Sequence, residues 1–286
     1  MASMRDIKRR KQSISSTQQI TKAMKLVSTV KLQKAKVRAE QADPYFNYMY
    51  RTVSSILAKS SNITHPYLTA GNSERKAVVV ITSNRGLAGG YNSNIVKLIT
   101  NDPELDKETL DIYGIGGKGV EALESKGYHI VESNPDIMEN PTYADAAALC
   151  RRVLEAFSSG EVGEIYLAYT HFKNTVSQIP TLMKLLPVEI DPEELESSAS
   201  DVLMNYEPNE EEALNMIIPK YVTSLFYGAL VEAYASENGA RMQAMDNATS
   251  NAEEIIDDLT LKYNRARQGS ITQELTEIIA GANAIS

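Results

Sequence analysis

Near the end of the chain, Met242, Met245, Thr249, Ala252, Ile256, Leu259, Tyr263 and Ala266 step by 3, 4, 3, 4, 3, 4 and 3. Alternating threes and fours are the seam of a coiled coil. Such a helix is too long to bury its stripe on a small core, so it demands a second helix of comparable length. After Gly269 the stripe restarts at Ile271, Leu275, Ile278, Ala282 and Ile285. The five-residue step from Ala266 to Ile271 rotates the seam, which points the last turns at a different neighbour.

The only other stretch long enough to serve is at the opposite end. Residues 1–43 contain no Gly and no Pro, are rich in helix formers, and meet their first breaker at Pro44, after which helical composition resumes. Ile20, Met24, Val27, Val30 and Val37 fall at helical spacings and read as the apolar stripe of that helix. Charge supports the pairing. Residues 1–43 carry eleven Lys+Arg against three acids, whereas residues 207–286 carry five against thirteen. The two ends therefore hold +8 and −8, and the expectation is an antiparallel pair. The last turns of the longer arm then outrun their partner, and an apolar stripe without one needs a sleeve from another protein.

Between the arms the periodicity changes. Segments 76–83, 110–115, 128–133 and 164–170 are short and rich in β-branched and aromatic residues, and helix-like stretches 91–101, 117–126 and 142–158 separate them. A fifth apolar run, IPTLMKLLPV, follows. Strands alternating with helices imply a mostly parallel sheet covered on both faces. The fold class expected is α/β with long-helix arms: an antiparallel coiled coil of 1–60 and 207–286 plus a Rossmann-like, mostly parallel α/β domain at 74–190, with a connector at 191–206.

Several kinds of chemistry are offered and weakly supported. Gly114, Gly116 and Gly119 satisfy G-x-G-x-x-G between a predicted strand and a helix, with Glu132 at a plausible ribose position. That turn belongs to the second βα unit, not the first, and glycines also serve simply to turn tightly. A P-loop fails, since Lys118 is followed by Gly119 and Ile112 holds the first glycine position. His65, His129 and His171 are scattered, and a single cysteine, Cys150, makes neither a zinc motif nor an internal disulfide. Cys150 suits a reducing compartment. No apolar run approaches the ~18 residues of a membrane span, and the basic start has no apolar segment behind it to read as a secretory signal. No catalytic residue, cofactor or metal is assigned. A nucleotide-binding enzyme and a coiled-coil adaptor or nucleic-acid-binding arm remain as alternatives.

The closing segment ITQELTEIIAGANA, the opening TQQITKAMKLV, and the segments ASENGARMQAMDNATSNA, YNRARQGSITQELTEI and TSNRGLAGGYN resemble the gamma subunit of rotary F-type ATP synthases, in the expected order from end to end. Asn84 and Ala88 stand where that family commonly has Asp and Cys. The resemblance implies a non-catalytic central shaft. It would turn inside a hexamer of alpha and beta subunits, and its α/β foot would rest on the membrane-embedded c ring beside the epsilon subunit. Proton flow would turn the ring, at the cytoplasmic face of the cell membrane. By motif match, Met24, Lys22 and Lys25 correspond to a torque contact with an acidic loop of the beta subunit. Arg241, Arg267, Gln268, Thr272 and Glu274 correspond to polar catches on the catalytic subunits. Ile271, Leu275, Ile278, Ala282 and Ile285 correspond to a bearing, and Tyr206 and Glu207 to the face toward the c ring and epsilon.

Overall fold

The computed structural model describes residues 4–59, 65–188 and 210–285. The first helix, α1 (Met4–Lys59), and the last, α5 (Glu210–Ile285), flank an α/β core. That core runs β1 (Lys76–Ile81), α2 (Tyr91–Thr100), β2 (Leu110–Ile115), α3 (Gly117–Glu124), β3 (His129–Ser133), α4 (Tyr143–Ser158), β4 (Glu164–Phe172) and β5 (Gln178–Leu186). The chain divides into two compact units, Met1–Ser28 with Met242–Ser286, and Thr29–Arg241.

In the first unit α1 and α5 pair antiparallel. The Thr21 and Thr249 hydroxyls are 2.8 Å apart, and one turn on, Lys25 Nζ meets Asp246 Oδ1 at 2.6 Å. On α5 all eight seam residues read from the sequence are buried or half-buried, with Met245, Ala252 and Leu259 innermost. The α1 side corrects the sequence reading. Ile20, Val27, Val30 and Val37 are 60, 58, 55 and 50% exposed, and only Met24 of that stripe is half-buried. The inward residues in this unit are Ile7, Lys11, Ile14, Gln18, Thr21, Lys25 and Ser28, again alternating fours and threes. The two stripes differ in phase by one residue, about 100° of helix rotation. The reason lies in the opposing seam. Thr21 meets Thr249 and Lys25 meets Asp246 there, so polar side chains hold these inward positions and the aliphatics Ile20 and Val27 turn outward.

In the second unit the sheet order is β3-β2-β1-β4-β5. β1 pairs parallel with β2 and β4, for example Val79 with Tyr113 and Leu167, while β5 returns antiparallel to β4, with Leu167 opposite Met183. Parallel neighbours need a crossover, which the helices supply; β5 follows a short turn and can only come back. In that turn Asn174 Oδ1 accepts from the N–H groups of Val176 and Ser177. β1 and β2 are almost wholly buried because both faces are covered. Val78, Val80 and Ile112 pack with Ile95 and Ile99 of α2 and Leu123 of α3. Val79, Ile165 and Leu185 face Cys150, Val153 and Leu154 of α4 and Val222 and Phe226 of α5. α4 begins with a capping box, in which the Thr142 side chain accepts from Asp145 N–H and the Asp145 carboxylate from Thr142 N–H.

α5 also contains a stretch long and apolar enough by composition to cross a membrane, although it holds no unbroken apolar run of that length. Of that window 56% is buried inside the protein, so it is the helix that closes the core under α4 and the sheet.

Candidate functional site

Where a doubly wound sheet reverses its strand order, the carboxyl ends of the flanking strands usually open a ligand crevice. Here the reversal lies between β1 and β4, and α5 engages the groups at both strand ends. Ser236 Oγ donates to Thr170 O at 3.0 Å, and His171 Nδ1 lies 2.7 Å from Glu232 Oε2. The Tyr91 hydroxyl, at the start of α2, donates to Ala233 O at 3.1 Å. Burial pushes the Tyr91 phenol well above its ordinary range, helped by the charge of Glu237.

Arg241 closes this arrangement. Its guanidinium meets Glu237 Oε1 at 2.6 Å and donates to the carbonyls of Arg85 and Gly86 at 3.0 and 3.2 Å. Both members of the ion pair are only 12% exposed. Burial raises the Glu237 carboxyl above its usual range, against the pull of Arg241 and then Lys31. Arg241 thus fastens the loop after β1, whose tip carries Leu87 at φ 66°, 64% exposed. A bulky residue in the left-handed region is strained, and such strain persists only where its surroundings hold it. The sequence reading singled out Arg241 and passed over Glu237. Their i,i+4 spacing in ENGAR was the available signal.

The glycine turn after β2 is built for packing. Gly116 has φ +86°, and a Cβ there would lie 2.0 Å from Thr82 O; one at Gly119 would lie 2.5 Å from the Thr82 side chain. The first N–H groups of α3 are taken by the chain itself. Gly117 N–H donates to Asn84 Oδ1, Lys118 N–H to Ser83 O and Gly119 N–H to Thr82 Oγ1, at 3.1, 3.0 and 3.0 Å. A pyrophosphate would need those same donors. Asn84 also donates through Nδ2 to Pro135 O at 2.8 Å, a bond that an ionised Asp in its place could not make. Ala88 in the same loop is buried.

The other expected site residues lie on the helices of the first unit. Lys22 is exposed and Met24 half-buried, while Lys25 is engaged with Asp246 across the pair. Arg267, Gln268, Thr272 and Glu274 are exposed on α5. Thr272 Oγ1 donates to Gln268 O at 2.9 Å, a bond along the helix that leaves its outer face open. Extending the Thr21–Thr249 register residue for residue sets Met4 level with Ala266, so Ile271 onward lies past the first described turn of α1. There Ile271, Leu275, Ile278 and Ile279 are 50, 54, 67 and 60% exposed, and Ala282 is exposed too. Ile279, missed in the sequence, widens the stripe. The side chain of Ile285 and the whole of Tyr206, Glu207 and the connector 191–206 fall outside what the structure describes.

Comparison with known proteins gives one answer along the whole chain. The family model described as ATP synthase matches residues 3–285. The ATP synthase gamma chain of Lachnoclostridium phytofermentans is 65% identical over 292 residues, covering 100% of both chains. That of Alkaliphilus metalliredigens is 44% identical over 99% of this chain and 98% of its own. A gamma chain of Acetobacterium woodii described as sodium ion specific is 40% identical over 99% of both. Among solved structures, a chain of the central stalk and c ring of Tetrahymena thermophila mitochondrial ATP synthase matches at TM-score 0.59 and 28% identity. It covers 80% of this chain and 99% of that one. A chain of the Euglena gracilis mitochondrial enzyme shares the fold at TM-score 0.71 and 23% identity, covering 99% and 94%. Matched from end to end by the family model and by curated gamma chains, the chain belongs to the ATP synthase gamma chain family.

Proposed function

We propose that this chain is the central rotor shaft of an ATP synthase, non-catalytic in itself. It carries torque between a membrane ion-driven c ring and a hexamer of alpha and beta subunits, with epsilon beside its foot, at the cytoplasmic face of the cell membrane. One observation carries this reading: a helix whose apolar stripe continues, exposed, past the first described turn of the helix it pairs with. About four aliphatic side chains in a row on the last turns would be a liability in water and are of use inside a sleeve. Residues 1–60 and 207–286 would form the shaft, 74–190 the foot and 191–206 the link.

The polar belt Arg267, Gln268, Thr272 and Glu274 would favour particular angular states of the surrounding subunits, and the aliphatic stripe above it would act as a bearing. A rotating surface cannot keep one fixed set of hydrogen bonds, so the bearing is expected to be apolar and tolerant. Met24 with Lys22 would meet an acidic partner loop. Lys25, tied to Asp246, would stiffen the pair beneath them. Arg241 would act through the loop it holds at Arg85 and Gly86. Tyr206 and Glu207 would face the c ring. Energy enters only as differential contact with partner states. That holds whichever ion drives the ring; the Acetobacterium relative is described as sodium ion specific.

The test is reconstitution with alpha and beta subunits. The expected outcome is that the chain alone neither hydrolyses ATP nor binds nucleotide with micromolar affinity. A bead attached to its foot should rotate when the assembled complex is given ATP. Saturable micromolar nucleotide binding by the chain alone, or hydrolysis without rotation of the bead, would refute the reading.

A further inference from the structure

A cavity of about 640 Å³ lies within the unit Thr29–Arg241, between α1, the start of α4, the β4–β5 hairpin and α5. That is inside the ~300–1,000 Å³ range of small-molecule sites. Five rings line it, Tyr45, Phe46, Tyr143, Tyr169 and Tyr227, together with the carboxylate of Glu232. Among the described residues, Glu232 is the one charged group in the lining, and His171 at 2.7 Å fixes its position. Its charge is felt in the cavity: burial first, and then Glu232, pushes the Tyr169 hydroxyl up to about 12. Tyr143 meets Tyr227 edge to face at 5.6 Å, while Tyr45 and Tyr143 are 49 and 41% exposed at the cavity mouth.

Gly228 is the second, independent observation. It sits inside α5, several turns from its start, on the cavity wall, where glycine costs roughly 1 kcal/mol relative to alanine. Close packing does not require it, because a Cβ built there meets nothing within 4 Å. Any larger residue would add helix propensity and fill the space. The glycine keeps the cavity open at a cost to the helix.

We propose that this cavity is a binding site for a small amphipathic organic cation, a quaternary or tertiary ammonium on an apolar body. Faces of Tyr and Phe attract such a charge through their quadrupoles, the attraction strengthens on desolvation, and one carboxylate balances it. An anion would meet Glu232 and no compensating cation in the lining. The inference is independent of the rotary reading and concerns the folded chain alone.

The full-length chain is titrated calorimetrically with 4-phenylbutyltrimethylammonium and with its neutral carbon isostere, in which carbon replaces the nitrogen. One-site saturable binding of the cation is expected, at least about tenfold tighter than the isostere. Glu232→Gln should weaken the cation by about tenfold or more and leave the isostere unchanged. Gly228→Leu should abolish binding of both while keeping or raising the thermal midpoint, which separates a filled cavity from a lost fold. The proposal is overturned by absence of saturable cation binding, by equal affinity for the isostere, by an indifferent Glu232→Gln variant, or by a folded Gly228→Leu variant that binds as the parent does.

Discussion

Glu164 at the start of β4 is the most strongly tied carboxylate among the described residues with a resolved shift. Burial alone would raise its pKa, but hydrogen bonds from Lys76, Lys184 and Tyr166 overcome that and hold it at about 2, against an ordinary 4.5. Lys76 and Lys184 each approach it at 3.0 Å, one from β1 and one from β5, so it pins three adjacent strands at one end of the sheet. A depressed folded pKa contributes stability that is present above the unfolded value and lost as pH falls through the folded one. The window is therefore pH 4.5 down to about 2. At an exposure of 22% the contribution at neutral pH is about 2–3 kcal/mol. Glu164→Gln should lower the neutral-pH midpoint and flatten the acid limb in that window, as read from thermal unfolding against pH. An unchanged acid limb would show that the strands do not depend on this carboxylate. Cys150 illustrates the opposite case. Burial pushes its thiol up to about 11, so the sequence's one cysteine is an inert core residue on the buried face of α4.

At the scale of elements, the two helices of the first unit show how a seam can be legible on one strand of a pair and hidden on the other. α5's seam is built of residues that any apolar periodicity detects. α1's inner face mixes Ile7 and Ile14 with Lys11, Gln18, Thr21, Lys25 and Ser28, polar residues that no hydrophobic template selects, although the seven together step by fours and threes as regularly. The strongest aliphatic signal on α1 marks the outward face. Ile20, Leu26 and Val27, all more than half exposed, are the side that a surrounding partner would meet. The register itself is directly testable. With Thr21 and Thr249 hydroxyls 2.8 Å apart, Thr21→Cys with Thr249→Cys should oxidise to an intramolecular disulfide in high yield. Thr21→Cys with Met245→Cys, one turn out of register, should oxidise slowly. Fast oxidation of the second pair, or products joined only between chains, would place the helices differently.

At the scale of the whole molecule, the polar belt and the aliphatic tail of α5 predict separable phenotypes in a reconstituted complex. Deleting 279–286 removes part of the exposed stripe and should weaken assembly or slow rotation while ATP hydrolysis persists. Arg267→Ala or Gln268→Ala should assemble normally and impair turnover. A lost charged contact of ~1–3 kcal/mol in one angular state shifts its population roughly 5- to 150-fold. Single-molecule rotation with parallel measurement of hydrolysis distinguishes the two. A tail indispensable for hydrolysis, with both polar substitutions silent, would reverse the assignment.

The sequence by itself determined what is local and periodic. It carried the α5 seam through Ala266, four strands and three helices in order, and the parallel character of the sheet, because propensity and spacing are properties of neighbouring residues. It also carried the family resemblance, since whole motifs survive as strings. What only the tertiary structure decided is which face meets which. The inward side of α1 is set by its contacts with α5, such as Thr21 with Thr249 and Lys25 with Asp246, and the role of Gly116 and Gly119 follows from Thr82, more than thirty residues away. The end of β4 against α5, the fastening of the Arg85–Gly86 carbonyls by Arg241 and the cavity kept open by Gly228 are likewise contacts between distant segments. A single sequence holds the side chains for these contacts but not their distances. Packing, which is short-ranged and non-additive, settles them only when the chain has folded.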